Sequence, residues 1–222
     1  KRGYDLILTG RNSERLELLV EDLKIRNNIN VEKIIFDINQ DELRNNFYQH
    51  LPCHPDIAAC FIGVLENSDD CINDVKKTEN LININFTYTV SILDQISNEF
   101  KKKKNGIIIA ISSTAGDRGR ASKYHYGSTK AALNTYLSGL RQRLYSSGVR
   151  VINIKPGFCR TKMINNINTP EFITSHPNDV SKAIFRAIKY KYDVVYVYWF
   201  WSLIMLIIKL IPEFIFKRIK IN

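Results

Sequence analysis

The stretch GIIIAIS, Gly106 to Ser112, places apolar residues at every position from Ile107 to Ile111, with no polar alternation. A run of this kind is a strand buried on both faces. DLILTG (5–10), EKIIFD (32–37), DIAACFIG (56–63), VRVINIK (149–155) and DVVYVY (193–198) read as further strands. Helical patterns separate them. Ser13 caps a helix to about Arg26, Asp41 to His50 is a short helix, and a long helix runs from about Cys71 to Lys102. Two more cover Tyr124 to Ser147 and Asn178 to Tyr190. Strands alternating with helices dictate a parallel sheet covered on both sides, an α/β doubly wound, Rossmann-like architecture. Ligands then bind beyond the carboxyl ends of the strands.

The 222 residues, 45% hydrophobic and 24% charged, suit one globular domain with a full-sized core. Cys53, Cys60, Cys71 and Cys159 form no CxxC pair, which argues against a disulfide framework and a zinc site and for a reducing cytosol. His50 and His54 lie in a proline-containing loop, QHLPCHPD, and no metal is expected there. The formal charge of +10 permits an anionic partner. The lysine run KKKKNG at 101–106 reads as a solvated helix end followed by an Asn-Gly turn, not as a nucleic-acid site.

YHYGSTKAAL, Tyr124 to Leu133, sets Tyr126 four residues ahead of Lys130, so both side chains leave one helix face. A cation beside a phenol favours the phenolate, which moves the tyrosine toward proton-transfer duty. Alone, the pair is equally an exposed helix pair. Ser113, at the carboxyl end of a parallel strand, adds a hydroxyl able to hold a carbonyl oxygen, and Asn85 lies upstream in LININF. The turn KPGFCRT brings Pro156, Gly157 and Thr161 to the end of the next strand, where the backbone can approach a ligand.

In order and spacing, this set resembles the short-chain dehydrogenase/reductase family over about Gly3 to Val197. The resemblance implies that Tyr126 is the general acid protonating a ketone oxygen and that Ser113 positions the carbonyl. It implies that Lys130 lowers the tyrosine pKa and binds the nicotinamide ribose, and that Asn85 holds a proton-relay water. Arg11 after the first strand, with no carboxylate beside it and Asn12 as helper, indicates NADP(H) rather than NAD(H). Asp37 and Ile38 correspond to the pair that contacts adenine, and Pro156, Gly157 and Thr161 complete the cofactor set. Where the family has Asn-Asn-Ala-Gly, this chain has CFIG, Cys60 to Gly63, which retains only Gly63. The family's first strand and glycine-rich phosphate loop are absent from this chain and belong upstream of Lys1. By this reading, residues 1 to 222 alone lack a central strand and the pyrophosphate site.

Within the family, the segment Asp117, Arg118 and Arg120 and the Tyr-Gly-Ser-Thr-Lys block look most like the reductases of decaprenylphosphoryl-2-keto-ribose. That resemblance implies a keto sugar on a polyprenyl phosphate, cell-envelope synthesis, a partner flavin oxidase and a homo-oligomer. The domain then spans residues 1–197, and 198–222 is an apolar and basic tail. The run from Val194 to Ile208 is 15 residues, short of the roughly 20 a spanning helix needs. With Trp199, Trp201, Lys209, Lys217, Arg218 and Lys220 at its margins, it reads as an interfacial segment on the inner face of the cytoplasmic membrane. A packed or dimer-forming helix is the alternative. Other functions the sequence allows are reduction of a fatty-acyl or sphingoid ketone, and a catalytically silent scaffold.

Overall fold

A computed structural model describes residues 3–161, 163 and 169–219. Lys220 therefore lies outside the described residues. The chain forms two compact units, Lys1–Pro55 and Asp56–Asn222.

In the first unit, β1 (Leu6–Gly10) leads through α1 (Ser13–Asn27) to β2 (Val31–Ile35), and the two strands pair in parallel. α1 starts one residue away from the expected cap: the Asn12 side chain, not Ser13, accepts the Arg15 N–H at 2.7 Å. Asn28, in the left-handed region, closes the helix. α2 (Asp41–Asn45) and a 3-10 turn at Phe47–His50 replace the single short helix expected there.

The second unit opens with β3 (Ile57–Cys60). The long helix expected from Cys71 to Lys102 is broken into α3 (Ser68–Asn73), α4 (Val75–Ile82), a π turn at Asn83–Thr87, and α5 (Tyr88–Lys103). Asp74 makes the first break: its backbone is extended and its carboxylate caps α4 by accepting the Lys76 N–H at 2.9 Å. α5 is closed by Lys104 in the left-handed region, directly before the expected Asn-Gly turn. At Gly106, φ is +145° and the Phe100 ring fills the place of a Cβ, so only glycine fits.

β4 (Gly106–Ile111), α6 (Tyr124–Leu144), β5 (Val149–Lys155), the short pair β6 (Phe158–Cys159) and β7 (Thr174–Ser175), α7 (Pro177–Tyr190) and β8 (Val194–Tyr196) follow. The main sheet runs β3-β4-β5-β8, parallel throughout. Ile109, Ile152 and Ile154 pack on one face with Ala183, Ile184 and Ala187 of α7. By the two-residue period, Ile108 and Val151 turn to the other face, where α5 packs on β4 and α6 on β5. The expected cover on both sheet faces is present.

The tail folds as α8 (Phe200–Leu210) and α9 (Glu213–Phe216). No helix among the described residues is long and apolar enough to cross a membrane. Trp201, Met205 and Ile208 are buried and pack with Phe158, Tyr196 and Phe216. The Trp201 ring occupies the space a Cβ on Gly157 would need, at 2.3 Å. Arg118 secures the C-terminal end of α8: its Nη1 lies 2.8 Å from the Ile208 carbonyl and 2.5 Å from that of Ile211. Its guanidinium also pairs with Glu213 and stacks on the Phe216 ring. The other side of α8 is apolar and exposed at Leu203, Leu206, Ile207 and Leu210.

Candidate active site

β4 ends at Ile111, and the chain then turns through Ser112, Ser113 and a 3-10 turn at Thr114–Gly116. The Ser113 hydroxyl accepts the Ala115 N–H at 3.1 Å, which fixes the turn. The turn nests against α6 because two glycines allow it. A Cβ on Gly116 would lie 2.6 Å from the Lys130 carbonyl carbon, and one on Gly127 would lie 2.8 Å from the Ala115 oxygen. This contact carries Tyr126 to Ser113, as the resemblance implies.

Burial pushes the Tyr126 phenol up to about 12, and the Ser113 hydroxyl pulls it back in part. The expected lowering of this phenol by Lys130 is not found. Desolvation is the largest cause acting on the phenol, and the Lys130 Nζ stands 5.9 Å from the ring centroid. Burial also brings Lys130 down to about 8, opposed by the neighbouring Cys60. Lys130 is only 3% exposed, and its Nζ donates to the Ile111 carbonyl at 3.1 Å.

Asn85 sits in the π turn, an irregularity common at functional sites. The turn delivers its side chain to Val64: Oδ1 accepts the Val64 N–H at 2.7 Å and Nδ2 donates to the Val64 carbonyl at 2.9 Å. Nδ2 also reaches Thr129 Oγ1 at 3.1 Å. Both amide protons are therefore committed, and Asn85 braces the backbone beside Gly63. A Cβ on Gly63 would stand 3.4 Å from Lys130 Nζ, so this glycine leaves the ammonium approachable.

Two polar groups lock this end of the sheet, one of which, Asn134, the sequence reading did not single out. Asn134 on α6 accepts from Ser112 Oγ at 2.7 Å and from Asn153 Nδ2 at 2.8 Å. The readable signal was Asn153, a polar residue inside an apolar strand. Asp117 receives Lys155 Nζ at 2.5 Å and the Tyr196 hydroxyl at 2.7 Å. The Asp117 side chain is 4% exposed, making this a buried ion pair.

The remaining candidates are distributed as follows. Pro156 is buried and its carbonyl accepts the Thr114 N–H at 3.0 Å, while Thr161 is exposed. Gly157 serves the Trp201 contact described above. In the first unit, Arg11 follows β1, exposed and without a hydrogen-bonded or ionic partner among the described residues. Asn12 has its Oδ1 committed to the cap, leaving its Nδ2 as the donor. Asp37 Oδ1 accepts from the Asn39 backbone and side chain, both at 3.0 Å, and the buried Ile38 offers its carbonyl to Arg44 at 2.7 Å. No cluster of histidine, cysteine or carboxylate side chains suited to a metal occurs among the described residues.

A curated oxidoreductase of Mycobacterium tuberculosis is 26% identical over 219 residues, covering 97% of this chain and 88% of its own. The serine 3-dehydrogenase of Agrobacterium fabrum is 31% identical over 169 residues, covering 73% of this chain and 65% of its own. Among solved structures, a short-chain dehydrogenase from Sphingobium yanoikuyae in complex with NADPH superposes with a TM-score of 0.82 at 20% identity, covering 96% of this chain and 88% of its own. One from Burkholderia cenocepacia in complex with NADP gives 0.78 at 19%, covering 99% and 98%. These two likenesses concern the fold. The family model of the short chain dehydrogenases matches residues 1–171. The chain belongs to the short-chain dehydrogenase family of oxidoreductases.

Proposed function

We propose that this protein is an NADPH-dependent ketoreductase acting on a keto sugar carried by a polyprenyl phosphate. The observation that carries the reaction is the Tyr126 phenol held neutral beside Ser113, with Lys130 buried one turn along the same helix. A phenol raised to about 12 is a proton donor at neutral pH. Ser113 Oγ orients the ketone oxygen toward that proton, and Asn85 holds the Gly63–Val64 backbone beside Lys130.

Residues of the second unit suit the nicotinamide end of a dinucleotide, and residues of the first unit suit its adenosine end; the pyrophosphate falls to the glycine-rich loop expected upstream of Lys1. Lys130 has a single backbone acceptor among the described residues, Gly63 adds no side chain in front of it, and Arg11 is an unpaired cation at the end of β1. Bound there, NADPH supplies the hydride. Lys130 holds the nicotinamide ribose, Pro156, Gly157 and Thr161 line the nicotinamide end, Asp37 and Ile38 meet the adenine, and Arg11 with Asn12 takes the 2′-phosphate.

The lipid-linked substrate rests on two features. The Asp117–Arg120 segment resembles that of the decaprenylphosphoryl-2-keto-ribose reductases, and Arg118 of the same segment holds a helix whose outer face is apolar. That face, rimmed by exposed Lys209, Lys217 and Arg218, lies on the anionic inner surface of the cytoplasmic membrane, where each cation contributes about 1 kcal/mol. Leu206→Glu with Leu210→Glu will abolish flotation with phosphatidylglycerol vesicles, and unchanged flotation contradicts the membrane reading. A flavin oxidase would supply the keto sugar.

The substrate test compares kcat/KM for a farnesylphosphoryl keto-pentose with that for a sphingoid ketone, which the apolar tail would serve equally well. The keto-pentose should win by more than tenfold, with NADPH preferred over NADH and the preference reversed by Arg11→Asp. A sphingoid preference overturns the sugar assignment, and a cofactor ratio that Arg11→Asp leaves unchanged overturns the role of Arg11.

A further inference from the structure

Two cations, Arg120 and Lys123, stand in the loop that leads into α6. Arg120 places Nη2 3.5 Å from Thr114 Oγ1, next to Ser113, while its Nε is buried with no hydrogen-bond partner among the described residues. Lys123 precedes Tyr124 as the N-terminal boundary of α6, and its Nζ lies 5.7 Å from the Phe158 ring centroid. The Arg120 carbonyl accepts the Lys123 N–H at 3.0 Å, which holds the two residues in one turn. Together they join the Ser113 turn, the start of the Tyr126 helix and the turn after Pro156, the three segments that make the site.

The carboxylate nearest in sequence, Asp117, offsets Arg120 only in part, because both its oxygens are engaged elsewhere. Asp117 gives one oxygen to Lys155 and the other to Tyr196. Neither Arg120 nor Lys123 takes part in an ion pair among the described residues, and the third basic residue of the loop, Arg118, is spent on the tail. Burial lowers both Arg120 and Lys123, and each cation is further disfavoured or favoured by its charged neighbours: Arg120 lowers Lys123, whereas Asp117 supports Arg120. Two half-buried cations that repel one another persist at a cost that an incoming anion would relieve.

We propose that Arg120 and Lys123 form a phosphate subsite of the substrate, gripping a phosphodiester beside the ketone that Ser113 and Tyr126 hold. The guanidinium supplies the directed donor and the ammonium the point charge. This deepens the ketoreductase reading and rests on its placement of the substrate. The dinucleotide is the other possible source of phosphate, and the test separates the two.

The experiment measures Kd by isothermal titration for farnesylphosphoryl pentose, for the farnesyl pentoside lacking phosphate, and for NADPH. It uses the full chain and the variants Arg120→Gln/Lys123→Gln and Arg120→Lys. The phosphodiester should bind about tenfold to a hundredfold more tightly than the neutral pentoside. The double variant should lose that difference with its NADPH Kd unchanged, and Arg120→Lys should keep part of it, showing that the fold survives. Equal affinities for the two pentosides in the unaltered chain, or an NADPH Kd that weakens with the double variant instead, would overturn the subsite. Failure to turn over the keto-pentose while the phosphate preference holds would sink the sugar reading alone.

Discussion

Replacing Tyr126 by phenylalanine will lower kcat for ketone reduction about 100-fold to 10,000-fold, the span of a general acid, while NADPH binds as before. Burial raises the phenol, so it stays protonated, and able to donate, at neutral pH. Phenylalanine keeps the ring that packs over Lys130 and removes only the proton. Lys130 gives the companion signature. Its pKa is depressed to about 8, so its charge is lost as pH rises through that value, whereas the phenol at about 12 remains protonated. Reduction should therefore hold its rate below pH 8 and fall on the alkaline side through Lys130, not through Tyr126. A Tyr126→Phe enzyme retaining more than about a tenth of its activity, measured as single-turnover NADPH oxidation, would point to a different acid.

Lys155→Ala will strongly destabilise the fold while leaving the catalytic residues in place. It strands the Asp117 carboxylate, 4% exposed, with the Tyr196 hydroxyl as its remaining partner. Breaking a buried pair from one side costs about 3–5 kcal/mol. In a domain of this length, each kcal/mol shifts the midpoint by about 2–4 °C, so Tm should fall by roughly 6–20 °C. The double variant Asp117→Asn/Lys155→Met should recover much of that loss, because no unpaired charge remains. A single-variant Tm within about 3 °C of the parent would mean the pair is hydrated and contributes little.

The strands were legible because parallel strands buried on both faces leave apolar runs such as Ile107 to Ile111. Tyr126 and Lys130 were legible because helical spacing fixes a shared face. The break at Asp74 was not, since its carboxylate cap is a local competition that periodicity does not record. The π turn at Asn85 was hidden for a similar reason: the extra residue is paid for by the Asn85–Val64 bonds, which join segments far apart in sequence. The packing of the Trp201 ring where a Cβ on Gly157 would stand was not legible, because it joins segments far apart in sequence. The tail presented a choice between packing and membrane surface. In the fold its inner side packs through Trp201 and Met205, and its outer side remains apolar. Arg118 stood out in the sequence without a role, because the carbonyls it caps are some ninety residues away.

The ketoreductase account is tested most directly by following isotope from cofactor to product. NADPH deuterated at the transferable position of the nicotinamide is incubated with the protein and a farnesylphosphoryl keto-pentose, and the product is analysed by mass spectrometry. One deuterium on the new carbinol carbon, lost together with turnover in Tyr126→Phe, is the predicted result. Cofactor that binds and leaves with its deuterium intact, across keto sugars and lipid ketones alike, would contradict the account and identify the protein as a scaffold.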